Sequence, residues 1–405
     1  MHSFATLPPL ALYAHLPWCV KKCPYCDFNS NALTDTLPEA HYIETLLRDL
    51  EHYLPRAQDR SLTSIFIGGG TPSLFAPESI DALLGGIRVR LPCAPDIEIT
   101  LEANPGTVEI DRFKGYREAG VNRLSIGVQS FQPNKLIALG RIHGADDAMR
   151  AGHAAVQAGF SNFNVDLMYG LPHQDAKDAL ADLNTALQLG PTHISLYQLT
   201  IEPNTYFYKN PPPLPDDETL WDMQCTLQAT LADAGFRQYE VSSYAKDGRQ
   251  CLHNLNYWTF GDYLGIGAGA HSKITDAHGI SRVHKPKHPR QYMAIASTAQ
   301  GLGIERRLER TEVGLEFMMN GLRLCDGFAT PLFQHNTGLP ISLIDRPVTQ
   351  AERRQLLIRT PGRIYPTLLG FRFLNDLLEL FLPEARDTEP KSHSTQVAIN
   401  SSQLI

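Results

Sequence analysis

Between residues 10 and 199 short apolar or β-rich runs keep returning, each followed by a stretch long enough for a helix. This alternation restricts the fold of the 405-residue chain more than any other feature. The runs fall at 10–16, 64–67, 97–101, 123–128, 163–168 and 193–199. Each ends in turn residues or a polar cluster, as buried parallel strands do. Helical patterns fill about 38–54, 77–91, 107–119, 145–158, 176–188 and 216–234, and Gly120, Gly159 and Gly235 stand where three of them stop. Six β-α units in a row predict a parallel sheet with crossover helices. A closed barrel takes eight such units. The expected architecture is therefore α/β, a partial (β/α)6 barrel over residues 1–270.

After about residue 300 the pattern changes. A helix is expected over 310–323, a short strand pair over 356–366 around Pro361-Gly362, and one helix over 367–382. These make a small, mainly helical C-terminal domain at 301–384, with 271–300 as a connecting segment. Residues 385–405, rich in Ser, Thr, Asn and Gln, read as a disordered tail. The run Pro211-Pro-Pro-Leu-Pro215 reads as a stiff loop before the last barrel helix.

Hydrophobic residues make up 43% and charged residues 20%, enough for a sizeable globular core. With a net charge of -7 there is no basic field, so nucleic acid is not an expected partner. The local basic stretch Arg282, His284, Lys285, Lys287, His288, Arg290 reads as a solvated loop. No apolar run approaches the roughly 20 residues of a transmembrane helix. No secretory signal opens the chain, and a cytoplasmic location is expected. Three of the seven cysteines fall within eight positions and four are scattered. In a reducing compartment such clustering points to metal or redox work rather than to disulfides.

The clustered cysteines are Cys19-Val-Lys-Lys-Cys23-Pro-Tyr-Cys26, directly after the first strand. Three thiolates on a tight loop can hold three irons of a cubane cluster, leaving the fourth iron open to a small chelating molecule. Zinc is the alternative, with His15 as a fourth ligand. Other suggestive residues follow successive strands, on the rim where parallel α/β folds place their sites. Gly68-Gly-Gly-Thr-Pro72 allows close backbone approach to a ligand, or is only a tight turn. Glu102, Gln129, Arg141 and Asp166 offer acceptors for hydroxyls and a guanidinium for a carboxylate, although a lone strand-end carboxylate is more often a cap or a surface charge. Tyr25 could cover a ligand or be core. His253 could ligate heme iron with Tyr257 and Trp258 lining the macrocycle, or could cap a turn. Cys251 reads as incidental, and Gly265-Ile-Gly-Ala-Gly-Ala-His-Ser272 as a weak signal of close backbone approach.

The cysteine motif resembles that of the radical S-adenosylmethionine superfamily. The resemblance implies a [4Fe-4S] cluster on Cys19, Cys23 and Cys26, and reductive cleavage of S-adenosylmethionine to a 5′-deoxyadenosyl radical. Further motifs narrow it. Tyr13-Ala-His-Leu-Pro-Trp-Cys19, Gly68-Gly-Gly-Thr-Pro72, Glu102-Ala-Asn-Pro105, Ser125-Ile-Gly-Val-Gln-Ser-Phe131, Leu139-Gly-Arg-Ile-His143 and Asn164-Val-Asp-Leu-Met-Tyr-Gly170 resemble the oxygen-independent coproporphyrinogen III dehydrogenases and their relatives, from about residue 10 to 382. That likeness implies S-adenosylmethionine contacts at Tyr13, Tyr25, Gly69, Gly70, Thr71, Glu102, Gln129, Arg141 and Asp166. The dehydrogenase branch carries another cysteine two residues after the triad, where this chain has Phe28. The HemW-type heme chaperones lack it and carry the pattern seen here as His253-Asn254-Leu-Asn-Tyr257-Trp258. Their resemblance implies heme as a ligand, with His253 as its iron ligand. It also implies heme-receiving respiratory membrane enzymes as partners and an encounter at the periphery of the inner membrane; the oligomeric state stays open, with a homodimer as one reading. The alternative is the enzyme itself, oxidative decarboxylation of coproporphyrinogen III to protoporphyrinogen IX.

Overall fold

The computed structural model describes residues 3–107, 110–296, 298 and 303–382. The expected tail at 385–405 lies outside the described residues. Twelve strands form one sheet: β1 (Leu10–Leu16), β2 (Leu62–Gly69), β3 (Cys93–Ala103), β4 (Arg123–Gln129), β5 (Phe163–Tyr169), β6 (His193–Gln198), β7 (Arg237–Gln238), β8 (Ser243–Ala245), β9 (Asp262–Ile266), β10 (His271–Asp276), β11 (Gly279–His284) and β12 (Ile304–Arg307). Their spatial order is β12-β11-β10-β9-β1-β2-β3-β4-β5-β6-β8-β7, with β12 and β7 as the two ends of an open barrel. The α/β partial barrel is as expected. The six anticipated strands are parallel neighbours in chain order, and a seventh parallel strand, β9, joins β1 in the register Leu10↔Asp262 to Ala14↔Ile266. The stretch 271–300, read from sequence as a connection, carries β10, β11 and the helix Pro289–Ile295. There the sheet turns antiparallel.

The crossover helices are α1 (Glu39–Glu51), α2 (Pro77–Arg90), α3 (Ile110–Ala119), α4 (Ala145–Gln157), α5 (Ala176–Gln188) and α6 (Asp217–Asp233). Asp175 and Asp216 cap α5 and α6 by accepting from the backbone N–H three residues on. Along each barrel strand alternate residues face the helices and the lumen. On β4, Leu124, Ile126 and Val128 join the main core, whereas Arg123, Ser125, Gly127 and Gln129 turn inward. On β5, Phe163, Val165 and Leu167 face the core, leaving Asn164 and Asp166 inside. The layer outside the sheet is oily and the lumen is polar. A short helix, α7 (Leu252–Trp258), packs against β1 and β2 from inside and closes the floor.

The C-terminal region packs around its own core, with Phe317, Phe328 and Phe333 in edge-to-face contact. It is mainly helical, with a small sheet formed by Phe328–Ala329, Leu357–Arg359 and Arg363–Pro366. The single helix expected over 367–382 is two helices, Leu368–Arg372 and Leu374–Glu379. Phe373 leaves helical geometry (φ -110°, ψ 49°), and Gly370 sits so close to the Leu356 carbonyl that a Cβ there would lie 1.7 Å from its oxygen. No helix among the described residues is long and apolar enough to cross a membrane.

Candidate cofactor site

The chain leaves β1 at Leu16 and runs straight into the cysteine loop. Gly70 N–H donates to Leu16 O at 2.8 Å, and Thr71 N–H donates to Trp18 O at 2.7 Å. The second-strand glycine segment thus lies against the start of the loop. Glycine is required twice. Gly69 has φ +116° and a Cβ there would meet the His15 ring at 2.6 Å; at Gly70 it would meet the Trp18 carbonyl oxygen at 2.5 Å. The far end of the loop is tied down by Asn29. Its amide donates to Ala268 O at 2.8 Å and to Lys287 O at 2.9 Å. His15 Nε2 bonds Asn29 O at 2.8 Å. A carbonyl only accepts, so the proton is on Nε2 and Nδ1 accepts the Tyr13 hydroxyl at 3.0 Å. Burial pushes the His15 imidazole down to about 4, consistent with this neutral form.

Cys19, Cys23 and Cys26 are all free and half-buried on this loop. Burial pushes the Cys26 thiol up to about 11 and raises Cys19, where hydrogen bonds from Thr71 and Ser30 oppose the rise. Bare, Cys19 and Cys26 therefore stay protonated, and a cation is needed to hold them as thiolates. Arg141 supplies one positive group: Nη1 faces Cys23 Sγ at 3.8 Å and Nη2 donates to Gly127 O at 2.6 Å. Its buried Nε has no partner. Among the described residues no three Cys, His, Asp or Glu converge on a single metal ion. A cubane takes each thiolate on a different iron, so three separated free thiols beside an underused guanidinium fit a cluster.

Inside the rim, Glu102 Oε2 accepts the Gly69 N–H at 3.0 Å. Burial, then the charge of Asp166, pushes Glu102 up to about 7, and the Gly69 bond pulls it back. Burial also raises Asp166, against hydrogen bonds from Asn164, Ser195 and Ser125. Both carboxyls are enclosed by protein yet keep part of their surface open to the lumen. Gln129 reaches the same rim through a register break between Gly127 and Gln129 and a left-handed backbone of φ +69°. Tyr25 lies close to Arg141, Cys23 and Cys26 and packs its ring 6.5 Å from Phe207. Tyr13, Tyr25, Gly69, Gly70, Thr71, Glu102, Gln129, Arg141 and Asp166 therefore lie on the same rim and upper lumen as the cysteine loop.

His253 stands below them, its ring 6.3 Å from that of Tyr13. It lies on α7 in the floor, 2% exposed, with Nδ1 3.0 Å from Ser64 Oγ and Nε2 3.1 Å from the Tyr257 hydroxyl. Its ring stacks on Phe66 at 5.1 Å. Burial, then Arg123, pushes it down to about 3. Cys251 belongs to the same floor. Its thiol and the N–H groups of Leu252 and His253 all point to the Glu98 carboxylate, at 3.5, 3.2 and 3.2 Å. Glu98 thereby caps the start of α7 and faces Arg123 at 3.9 Å. His193 continues the network to Asn164 Oδ1 at 2.7 Å and to the Tyr239 hydroxyl at 2.9 Å. The sequence reading passed over Glu98 and His193, took Cys251 as incidental and gave His15 only as an alternative zinc ligand. The signal for them was the polar half of the period-two pattern in β2 to β6.

Comparison with known proteins places this geometry. Residues 13–186 match the Radical SAM superfamily and residues 308–373 the HemN C-terminal domain. "Heme chaperone HemW" of Escherichia coli (strain K12) is 52% identical over 379 residues, covering 93% of this chain and 99% of the relative. The protein of the same name from Haemophilus influenzae is 50% identical with the same coverage. That of Bacillus subtilis is 34% identical over 92% of this chain and 99% of its own. Coproporphyrinogen III oxidase (HemN) from Escherichia coli, a radical SAM enzyme, superposes with a TM-score of 0.78 over 93% of this chain and 90% of that one. At 23% identity this is a likeness of fold.

Proposed function

The chain belongs to the HemW family of the radical S-adenosylmethionine superfamily, and on that premise we propose that it is a heme chaperone, binding heme and passing it to respiratory membrane proteins. The near full-length likeness to chaperones named for heme carries this reading. Phe28, which stands where the dehydrogenases carry a further cysteine, agrees with it.

In this reading Cys19, Cys23 and Cys26 hold a [4Fe-4S] cluster. When bound, such a cluster offers one iron for chelation and one electron for transfer. The chain's own residues do the rest. Arg141 keeps positive charge beside the thiolates and can pair with a carboxylate. Gly69, Gly70 and Thr71 let backbone groups approach an amino acid moiety. Glu102 and Asp166 accept hydrogen bonds from ribose hydroxyls, with Gln129 beside them. Tyr13, oriented by His15, and Tyr25 close the sides. The chaperone would work in the cytoplasm and meet its clients at the inner membrane, with a cluster-dependent homodimer as the expected assembly.

His253, the family motif's candidate for the heme iron, would have to give up the Tyr257 or Ser64 hydroxyl to present a lone pair. The deciding experiment is anaerobic reconstitution with iron and sulfide, followed by parallel incubation with heme and with coproporphyrinogen III, S-adenosylmethionine and a reductant. Stable heme uptake without protoporphyrinogen supports the chaperone. Product formation replaces it with the decarboxylating enzyme.

A further inference from the structure

The barrel mouth carries a second set of potential iron ligands, formed by residues that are 13 apart in sequence and directly paired in the sheet. His271 opens β10 and His284 ends β11, and the two are register partners. Their rings stack at 5.8 Å with an interplanar angle of 27°. Both are exposed, and among the described residues neither ring nitrogen has a hydrogen-bond partner. This is the reverse of His253, whose two nitrogens are both engaged.

Two further features adjoin the pair. Gly269 N–H donates to Pro286 O and Lys285 N–H donates to Ala270 O, both at 2.9 Å, which brings the segments before His271 and after His284 side by side. Asn29 bonds the carbonyls of Ala268 and Lys287, and Phe28, its neighbour in the chain, is 48% exposed. Lys287 is exposed there. One patch thus combines open imidazoles, an uncovered aromatic ring and a cation. Those are the groups that suit an iron, an apolar macrocycle face and an anionic carboxylate edge.

We infer that the His271–His284 pair is the site at which heme iron is ligated, with Phe28 against the macrocycle and Lys287 near a propionate. This rests on the heme-chaperone reading and specifies its site. The two rings lie on one side, stacked rather than facing each other, so one imidazole ligates at a time and the opposite face of the iron stays open. A carrier that must surrender its cargo needs such an open face.

The test is titration of the cluster-reconstituted full chain with ferric heme, reading the Soret band and the heme retained after gel filtration. Wild type is compared with His271→Ala, His284→Ala, the double variant, Phe28→Ala and His253→Ala. Iron and sulfide content serves as the check on folding. Each single histidine variant should bind more weakly while keeping a ligated Soret band. The double variant should lose that band and bind at least about tenfold more weakly, ~1.4 kcal/mol. Phe28→Ala should weaken binding without changing the band. His253→Ala, where folded, should keep the wild-type band. A double variant that binds like wild type overturns the inference and leaves the chaperone reading standing, and loss of the band in a folded His253→Ala alone returns the ligand to the floor. If the wild-type chain takes up no heme, the chaperone reading falls and this site with it.

Discussion

The rim and the floor of this barrel are built from similar residues and do opposite things. Both hold cysteine, histidine, arginine and carboxylates. On the floor the carboxylate and the imidazoles have found partners, while Arg123 Nε and Trp258 Nε1 have no hydrogen-bond partner among the described residues. Glu98 receives three donors, His253 two hydroxyls and His193 an amide and a phenol. Such saturation stabilises and orients, and leaves little for a ligand. On the rim the three thiols are outside any disulfide and half-buried, with long contacts of 3.8 Å from Arg141 to Cys23 and 4.0 Å between Cys26 and Ser30, and Glu102 accepts one N–H while bearing a raised pKa. Unspent hydrogen-bonding capacity, rather than residue type, separates a binding surface from a polar core.

The sharpest break between the two regions is expected from Cys23→Ala. The variant should lose the cluster outright, read as iron and sulfide content, while thermal unfolding stays close to wild type because the loop is only half-buried. Full iron content in the variant would remove the cluster assignment. Glu98→Ala should do the converse. It strips the cap of α7 and leaves Arg123 buried without its carboxylate, at a cost of about 3–5 kcal/mol in denaturant unfolding. An unfolding midpoint like wild type would show that the floor is not held this way.

Glu102 gives a smaller, pH-dependent effect. Its carboxyl titrates near 7 in the fold against 4.5 as its ordinary value. Between these values the fold holds a proton that the unfolded chain has released, so stability falls as pH rises. Below about 4.5 the penalty is absent. Glu102→Gln should flatten that part of the stability–pH curve, and an unchanged slope would mean that the carboxyl is already ionised. The smallest effect is expected far from both regions. Arg237 and Asp326 pair at 2.8 Å with side chains 70% and 65% exposed, and Arg237→Ala should change stability by about half a kcal/mol or less. A larger loss would mean that the outer strand β7 depends on this contact.

The strand and helix alternation was legible because buried parallel strands and amphipathic helices leave their periods in the chain. Five of the six barrel helices begin within two residues of the expected starts, and α3, expected from 107, begins at Ile110. The cysteine loop and the glycine turn were legible because each is local. What escaped was non-local. The parallel strand β9 pairs with β1, some 250 residues earlier, and only the closing sheet creates that contact. Neither the break at Phe373 nor the approach of the Leu356 carbonyl to Gly370 is reported by the helical spacing in 367–382.

The histidines draw the line most clearly. By itself the sequence determined a radical S-adenosylmethionine type of barrel, the three cysteines after its first strand and the order of the rim residues, since these follow from short-range pattern and spacing. Whether a given imidazole has a free lone pair was decided by tertiary structure alone. His253 lies in a full motif and spends both nitrogens inside the floor, whereas His271 and His284 drew little notice and are set side by side, open to solvent, by the pairing of β10 with β11. Hydrogen-bond satisfaction depends on neighbours from distant parts of the chain, so it is set only when the sheet closes.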